Sequence, residues 1–308
     1  MRVLPASSGS SLWVVLAEGC IEGDPGNCAY AFNINQSSTW DNQGLFQLPL
    51  YEESQLGYSG NADFGFDTVT LGWQGSGGLT LTHQVVAGFA TKDFYIGNLG
   101  LTPRPVNFTD FNHPQKSVLG TLRNESKVAS STWAYTAGAS YREPEMFGSL
   151  TFGGYDSTRF VPNNLSFSFG ADISRDLIVT LQSVTTGTDS LLPNSITTFI
   201  DSTVPHIWLP IEACSLFESV FGIVWDNATD LYLVNDTLHD MLLAENTNIT
   251  FTLGNVTSGG ETVDIVFPYE AFDLTITLPT NTTSRYFPIR RAHNDTQFTL
   301  GRTFLQEA

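Results

Sequence analysis

The amino-acid sequence predicts an all-β protein built from two similar halves, with a few short helices. Short runs rich in β-branched and aromatic residues recur along its 308 residues, separated by Gly, Asn, Asp and Pro. Only two segments carry apolar residues at helical spacing. A loop-and-strand pattern close to the start of the chain reappears near residue 200.

Taken in order, "VLPASSGSSLWVV" (3–15) is a Ser-rich turn that runs into an apolar strand around Trp13. "FDTVTLG" (66–72) reads as a strand, and the Gly-rich "GSGGL" (75–79) after it as a hairpin turn. "GSLTFGGY" (148–155), "LSFSFG" (165–170), "DLIVTLQSV" (176–184), "NITFTLG" (248–254), "ETVDIVF" (261–267) and "FDLTITLP" (272–279) read as further strands. One helix is expected after Pro210, where Ala213, Leu216, Phe217, Val220 and Phe221 form an apolar stripe. A second starts at Asn235 as N-cap, with Leu238, Met241 and Leu242 on one face.

The repeat is the most informative feature. "ASSGSSLW" (6–13) superposes without a gap on "DSTVPHIW" (201–208), and each continues into an apolar strand. The second copy has Asp201 where the first has Ala6. Each is followed by a similar segment, "NLGL" with Gly100 and "TLGR" with Gly301, 94 and 100 residues after Ala6 and Asp201 respectively. Two matches at similar separations predict two similar lobes.

Composition narrows the function. Thirteen basic against thirty-one acidic residues give a net charge of −18, which repels nucleic-acid phosphate and anionic membranes. Sequons for N-glycosylation begin at Asn35, Asn107, Asn124, Asn164, Asn227, Asn235, Asn248, Asn255, Asn281 and Asn294. These are ten of the nineteen asparagines, against roughly four expected by chance in so Ser/Thr-rich a chain, and they imply a secreted or cell-surface protein. Cys20 and Cys28 are placed to close a small disulfide loop in an oxidising compartment, which leaves Cys214 with a partner outside this sequence. The chain begins without a signal peptide and stops after "TLGRTFLQEA", so segments are expected beyond both ends. No apolar run spans a bilayer, and a membrane anchor is expected only beyond Ala308.

With these motifs in view, the chain resembles the pepsin-like aspartic peptidases. "FIDSTVPHIWLP" looks like the second active-site loop of that family and "ASSGSSLWVV" like the first. "FGFDTVTLG", "IGNLGL", "FGSLTFGGYDSTRF" and "TLGRTFLQE" follow in the family's order, so that the resemblance covers nearly the whole chain. It is most similar to a divergent, glycosylated fungal branch in which "IWLP", "LYLVND" and "FPYEAFDL" recur. The resemblance implies a bilobal double-psi β-barrel fold, truncated at both ends, with an N-terminal lobe over 1–170 and a C-terminal lobe over 171–308.

It also implies a chemistry. In the family two carboxylates share one proton and a water; one acts as base toward the water while the other protonates the scissile carbonyl. Asp201 matches the second acid. The first loop offers Ala6 when aligned through Trp13, or Ser7 when aligned through Gly9, and neither carries a carboxylate. Thr203 stands where the family has Gly, and the family's flap tyrosine has no counterpart at the expected spacing, which lands on Gln55 rather than Tyr58. Glu18, Glu22 and Asp24 are the nearest replacement acids in sequence.

Other chemistries lack their motifs. His83, His113, His206, His239 and His293 show no metal-ligand spacing, no G-x-S-x-G elbow occurs, and the Gly-rich stretch has no phosphate-loop Lys. No metal and no cofactor is expected. Arg290 and Arg291, being adjacent, are expected on opposite faces of a strand. The sequence thus points to a secreted pseudopeptidase whose cleft binds an extended peptide or a cell-surface protein. An acid endopeptidase using Asp201 with a second acid, and a purely structural glycoprotein, are the alternatives.

Overall fold

The computed structural model describes residues 1–20, 31–73, 75–110, 112–278 and 282–308. The chain forms two compact units, one of Met1–Ala134 with Leu150–Asp156, the other of Tyr135–Ser149 with Ser157–Ala308. Gly170 lies inside the second.

In the first unit, strands β1 (Val3–Ala6), β2 (Leu12–Val15), β3 (Asp41–Gln47), β4 (Asn61–Thr70), β5 (Thr80–Phe89) and β6 (Gly97–Gly100) make one sheet, ordered β1-β6-β2-β5-β4-β3. All four residues of β2 are buried. Side chains alternate across a strand, so a continuous apolar run is what a strand covered on both faces requires. Trp13 and Val15 join Phe64, Ala87 and Phe89 in one core, while Leu12 and Val14 join Val86 and Leu99 in another. Helix α1 (Val118–Asn124) closes the latter with Val118, Leu119 and Leu122. Its N-cap Ser117 accepts from the Gly120 amide, and Gln84 of β5 donates to Thr121 at 3.1 Å. The Gly-rich stretch turns β4 into β5, with Leu71 N–H bonded to the Leu79 carbonyl at 2.9 Å and Gly72, Gly75 and Gly77 at positive φ.

Strands β7 (Trp133–Ala139) and β8 (Met146–Phe152) pair as a two-stranded ribbon.

The second unit opens with β9 (Ile178–Thr186), β10 (Asp189–Ser190), β11 (Ile196–Ile200) and β12 (Ile207–Pro210). Helix α2 (Ile211–Phe221), β13 (Val224–Asp226), β14 (Leu231–Val234) and helix α3 (Asp236–Glu245) follow. Then come β15 (Ile249–Gly254), β16 (Thr262–Phe267), β17 (Leu274–Thr277), β18 (Thr283–Phe287), β19 (Ile289–Ala292) and β20 (Thr299–Leu300). The main sheet runs β16-β15-β9-β11-β20-β12-β19, with β10 on β9, and a smaller one runs β13-β14-β18-β17. Their common core is aromatic: Phe217, Phe251, Phe267, Phe272, Phe287 and Phe304 are fully buried, with Phe272 stacked on Phe287 at 4.9 Å. Each such ring contributes about 2–3 kcal/mol through removal from water.

Both expected helices form. Helix α2 buries Ala213, Phe217 and Phe221, but Val220 of the predicted stripe faces solvent. The Asn235 side chain caps α3 by accepting from the Leu238 amide at 3.0 Å. Its inner face is His239 and Leu242, while Met241 is exposed. "LSFSFG" is a correction: residues 165–170 adopt no strand. Phe167 packs on the core and Phe169 is exposed, and among the described residues the segment joins no sheet ladder.

A single device recurs in both units. Strand β6 lies between β1 and β2, parallel to the first and antiparallel to the second. In the same way β20 lies between β11 and β12. Each unit therefore contains a ψ-shaped crossing in which a late strand threads a loop made early in the unit.

Candidate functional site

The two crossing loops have the same span. Leu99 pairs with Pro5 on one side and Leu12 on the other, and Leu300 pairs likewise with Ile200 and Ile207. The two partners lie seven positions apart in each case, so the loops match position for position. Through this register Ala6 corresponds to Asp201, and Ser7 to Ser202.

The threading strands end in glycines for a steric reason. A Cβ on Gly100 would lie 2.7 Å from the Gly9 carbonyl oxygen, and one on Gly301 would lie 2.3 Å from that of His206. Both distances are closer than any side chain tolerates, so only glycine passes through the loop.

Asp201 is fully buried in the second loop. Its amide donates to the Leu300 carbonyl at 3.2 Å, and its Oδ1 accepts from the Thr203 amide at 2.8 Å. Thr203 thus adopts its place in the turn without glycine. Arg302 donates to the carbonyls of Ser202 and Thr203 at 2.8 and 2.7 Å, holding the tip of the loop from behind.

In the first loop Ala6 and Ser7 are buried, and the Leu101 amide donates to the Ala6 carbonyl at 3.0 Å. Ser8 donates to Oε1 of Glu53 at 2.9 Å. Glu53 is only 2% exposed and its neighbour Glu52 is also buried. They sit in the connection between β3 and β4, where Glu53–Leu56 forms a short 3-10 turn. Sequence reasoning missed this carboxylate. "YEES" is a polar run that reads as solvated surface, and the only signal against that reading is its position between the apolar "LPL" and "LGY".

The remaining candidates fall as follows. Glu18 is exposed, and Glu22 and Asp24 lie outside the described residues. Tyr58 stacks on Phe94 at 5.4 Å and so serves the core. Asp67 of "FDTV" is buried and accepts from Ser37 at 2.8 Å and from the Thr68 amide at 2.7 Å, which makes it an anchor for the loop before β3. Cys20 and Cys214 are free thiols, and Cys28, the expected partner of Cys20, lies outside the described residues. Burial pushes the Cys214 thiol up to about 12. Among the sequons, Asn281 lies outside the described residues; the asparagines of the other nine are all exposed.

His206 was passed over in sequence and is unusual in place. It corresponds to Ser11 of the first loop, as Trp208 corresponds to Trp13. There the Trp13 indole N–H donates to Ser11 at 2.8 Å. In the second loop neither ring nitrogen of His206 nor the Trp208 indole nitrogen meets a partner among the described residues. Burial, with help from the charges of Arg290 and Arg302, pushes His206 down to about 3 and keeps it neutral.

Structural comparison gives this arrangement a counterpart. The aspartic proteinase from Irpex lacteus superposes with a TM-score of 0.65 over 99% of this chain and 84% of its own, at 20% identity. The fold is pepsin-like. No family model matches the sequence, and no curated protein matches it. In this pepsin-like fold the two threaded loops of the chain are the elements that carry Ala6 and Asp201. No group of acidic, His or Cys side chains among the described residues is arranged to hold a metal ion. No helix among them is long and apolar enough to cross a membrane.

Proposed function

We propose that the chain is a secreted, glycosylated pseudopeptidase, in which a pepsin-like fold has given up two-aspartate catalysis and retains the binding of an extended peptide or a cell-surface partner. One observation carries this reading: the pairing register sets Ala6 opposite Asp201 in the repeat. A methyl group can neither hold nor release a proton. A single carboxylate cannot divide the work of activating water and protonating the scissile carbonyl. Its fixed bond to the Thr203 amide instead gives it a structural task in the turn. Strand edges in a fold of this kind offer backbone groups to an added strand, which is how an extended peptide would bind. Nine exposed sequon asparagines support passage through the secretory pathway.

The test is digestion of a denatured protein substrate between pH 2.5 and 6 by the parent chain and by Asp201→Ala. The expected result is no cleavage by either. Cleavage by the parent that is lost in the variant would overturn the proposal.

A second reading has its own observation. The buried Glu53 carboxylate is bonded to Ser8, two residues beyond Ala6, and would be the replacement acid of an acid endopeptidase. Under that reading the parent cleaves, and both Asp201→Ala and Glu53→Gln abolish cleavage.

A further inference from the structure

Strand β19 presents two adjacent arginines whose situations differ. Arg291 is fully served: it donates to Glu218 at 2.7 Å and to the Tyr232 hydroxyl at 2.9 Å. Arg290, on the other face, lies over the Trp208 ring at 5.5 Å, and its buried Nε has no acceptor among the described residues. Among the described residues no carboxylate pairs with this guanidinium, although the chain carries 31 acids. The pairing of Trp208 with Arg290 across β12 and β19 sets the unfilled indole N–H on the same face. His206, 6% exposed and with both ring nitrogens unfilled, precedes β12 and feels the charges of Arg290 and Arg302. Tyr286 meets its ring edge-on at 5.8 Å.

Buried polar groups without partners are costly, and three side chains in one place leave such groups. The corresponding place in the first unit has no such deficit, because Ser11 accepts from Trp13. An internal water would satisfy the indole and the imidazole but would bring no negative charge to the guanidinium, whose Nε is buried without an acceptor among the described residues. An anion supplies what a water does not. A planar carboxylate suits the set best, since it has two acceptor oxygens for the Arg290 fork and spare lone pairs for the indole and a neutral imidazole N–H.

We propose that Arg290, Trp208 and His206 form a carboxylate-binding site on the β12–β19 face of the second unit. This site is independent of whether the chain cleaves or binds peptides at Asp201. Arg290, which is only partly buried, gives it access to solvent.

The experiment follows the indole N–H resonance of Trp208, assigned with Trp208→Phe, while the full chain is titrated with sodium acetate and in parallel with sodium chloride. A saturable shift with acetate and not with chloride is expected. In Arg290→Gln the dissociation constant should rise by about tenfold or more, while the resonances of the other indoles stay where they are in the parent. His206→Leu provides a second variant with the same expected direction. Two peptides separate the sources: one with a free C-terminus and no acidic residue, the other amidated with one internal Glu. The one that reproduces the acetate shift identifies the source, and acetate binding with neither assigns the site to a small free carboxylic acid. Absence of a saturable acetate shift, an equal response to chloride, or unchanged binding in both variants would overturn the proposal.

Discussion

The Ser8 hydroxyl donates to the Glu53 carboxylate across 2.9 Å, tying the first crossing loop to the connection between β3 and β4. Because Glu53 is almost wholly buried, this bond works in a setting where a carboxylate depends on its donors. Ser8→Ala is expected to lower stability by about 1–3 kcal/mol, the cost of taking a donor from a buried carboxyl group. Urea unfolding at pH 7 measures it; an unchanged midpoint would mean that other donors carry Glu53.

Asp201 should behave as a turn residue. Asp201→Asn keeps the oxygen that accepts from the Thr203 amide and is expected to cost under about 1 kcal/mol, whereas Asp201→Ala strands a buried N–H at about 1–3 kcal/mol. Thermal denaturation of the two variants side by side checks this. Equal losses would place the importance of Asp201 in its charge rather than its acceptor.

The threading glycines are predicted to be intolerant. Gly301→Ala sets a Cβ against the His206 carbonyl, and Gly100→Ala sets one against the Ser10–Ser11 backbone. Neither neighbour is a flexible side chain, so each substitution is expected to cost on the order of 3 kcal/mol or more. Expression yield and the unfolding midpoint report it.

His206 makes stability pH-dependent. Its folded-state value of about 3 lies below its ordinary one, so the unfolded chain takes up a proton first as pH falls. The contribution of His206 is therefore complete above about pH 6.5 and is lost progressively down to pH 3, by an amount on the order of a few kcal/mol. His206→Leu should flatten this part of the pH profile. Urea unfolding of parent and variant at pH 7 and pH 4 compares the two slopes; parallel losses would refute it.

Asn235 carries two roles that can be separated. Its Oδ1 caps α3, while its Nδ2 is the atom that a glycan would occupy. On the proposed reading of a secreted glycoprotein, Asn235→Asp is expected to remove one glycan and keep the cap, and Asn235→Ala to remove both, the lost cap costing about 1 kcal/mol. Mass spectrometry and thermal denaturation distinguish them.

Local patterns sufficed for the β class, the N-cap of α3 and the repeat between "ASSGSSLW" and "DSTVPHIW". These depend on side-chain period and backbone chemistry within a few residues. Local pattern located β4, β8, β9, β15, β16 and β17, the strands after Trp13 and Trp208, and helices α2 and α3, but not α1 or strands such as β3, β5 and β18; "LSFSFG" alternates as a strand does, yet pairing with a neighbour is not written in its own residues. Tertiary structure alone decided the rest. The choice between Ala6 and Ser7 as the counterpart of Asp201 depended on which residues β6 and β20 pair with, a matter of register between strands some ninety to one hundred residues apart. The burial of Glu53 and the unfilled nitrogens of His206 depended on what packs around them. A polar side chain is written in the sequence, whereas its loss of water is a property of the space around it.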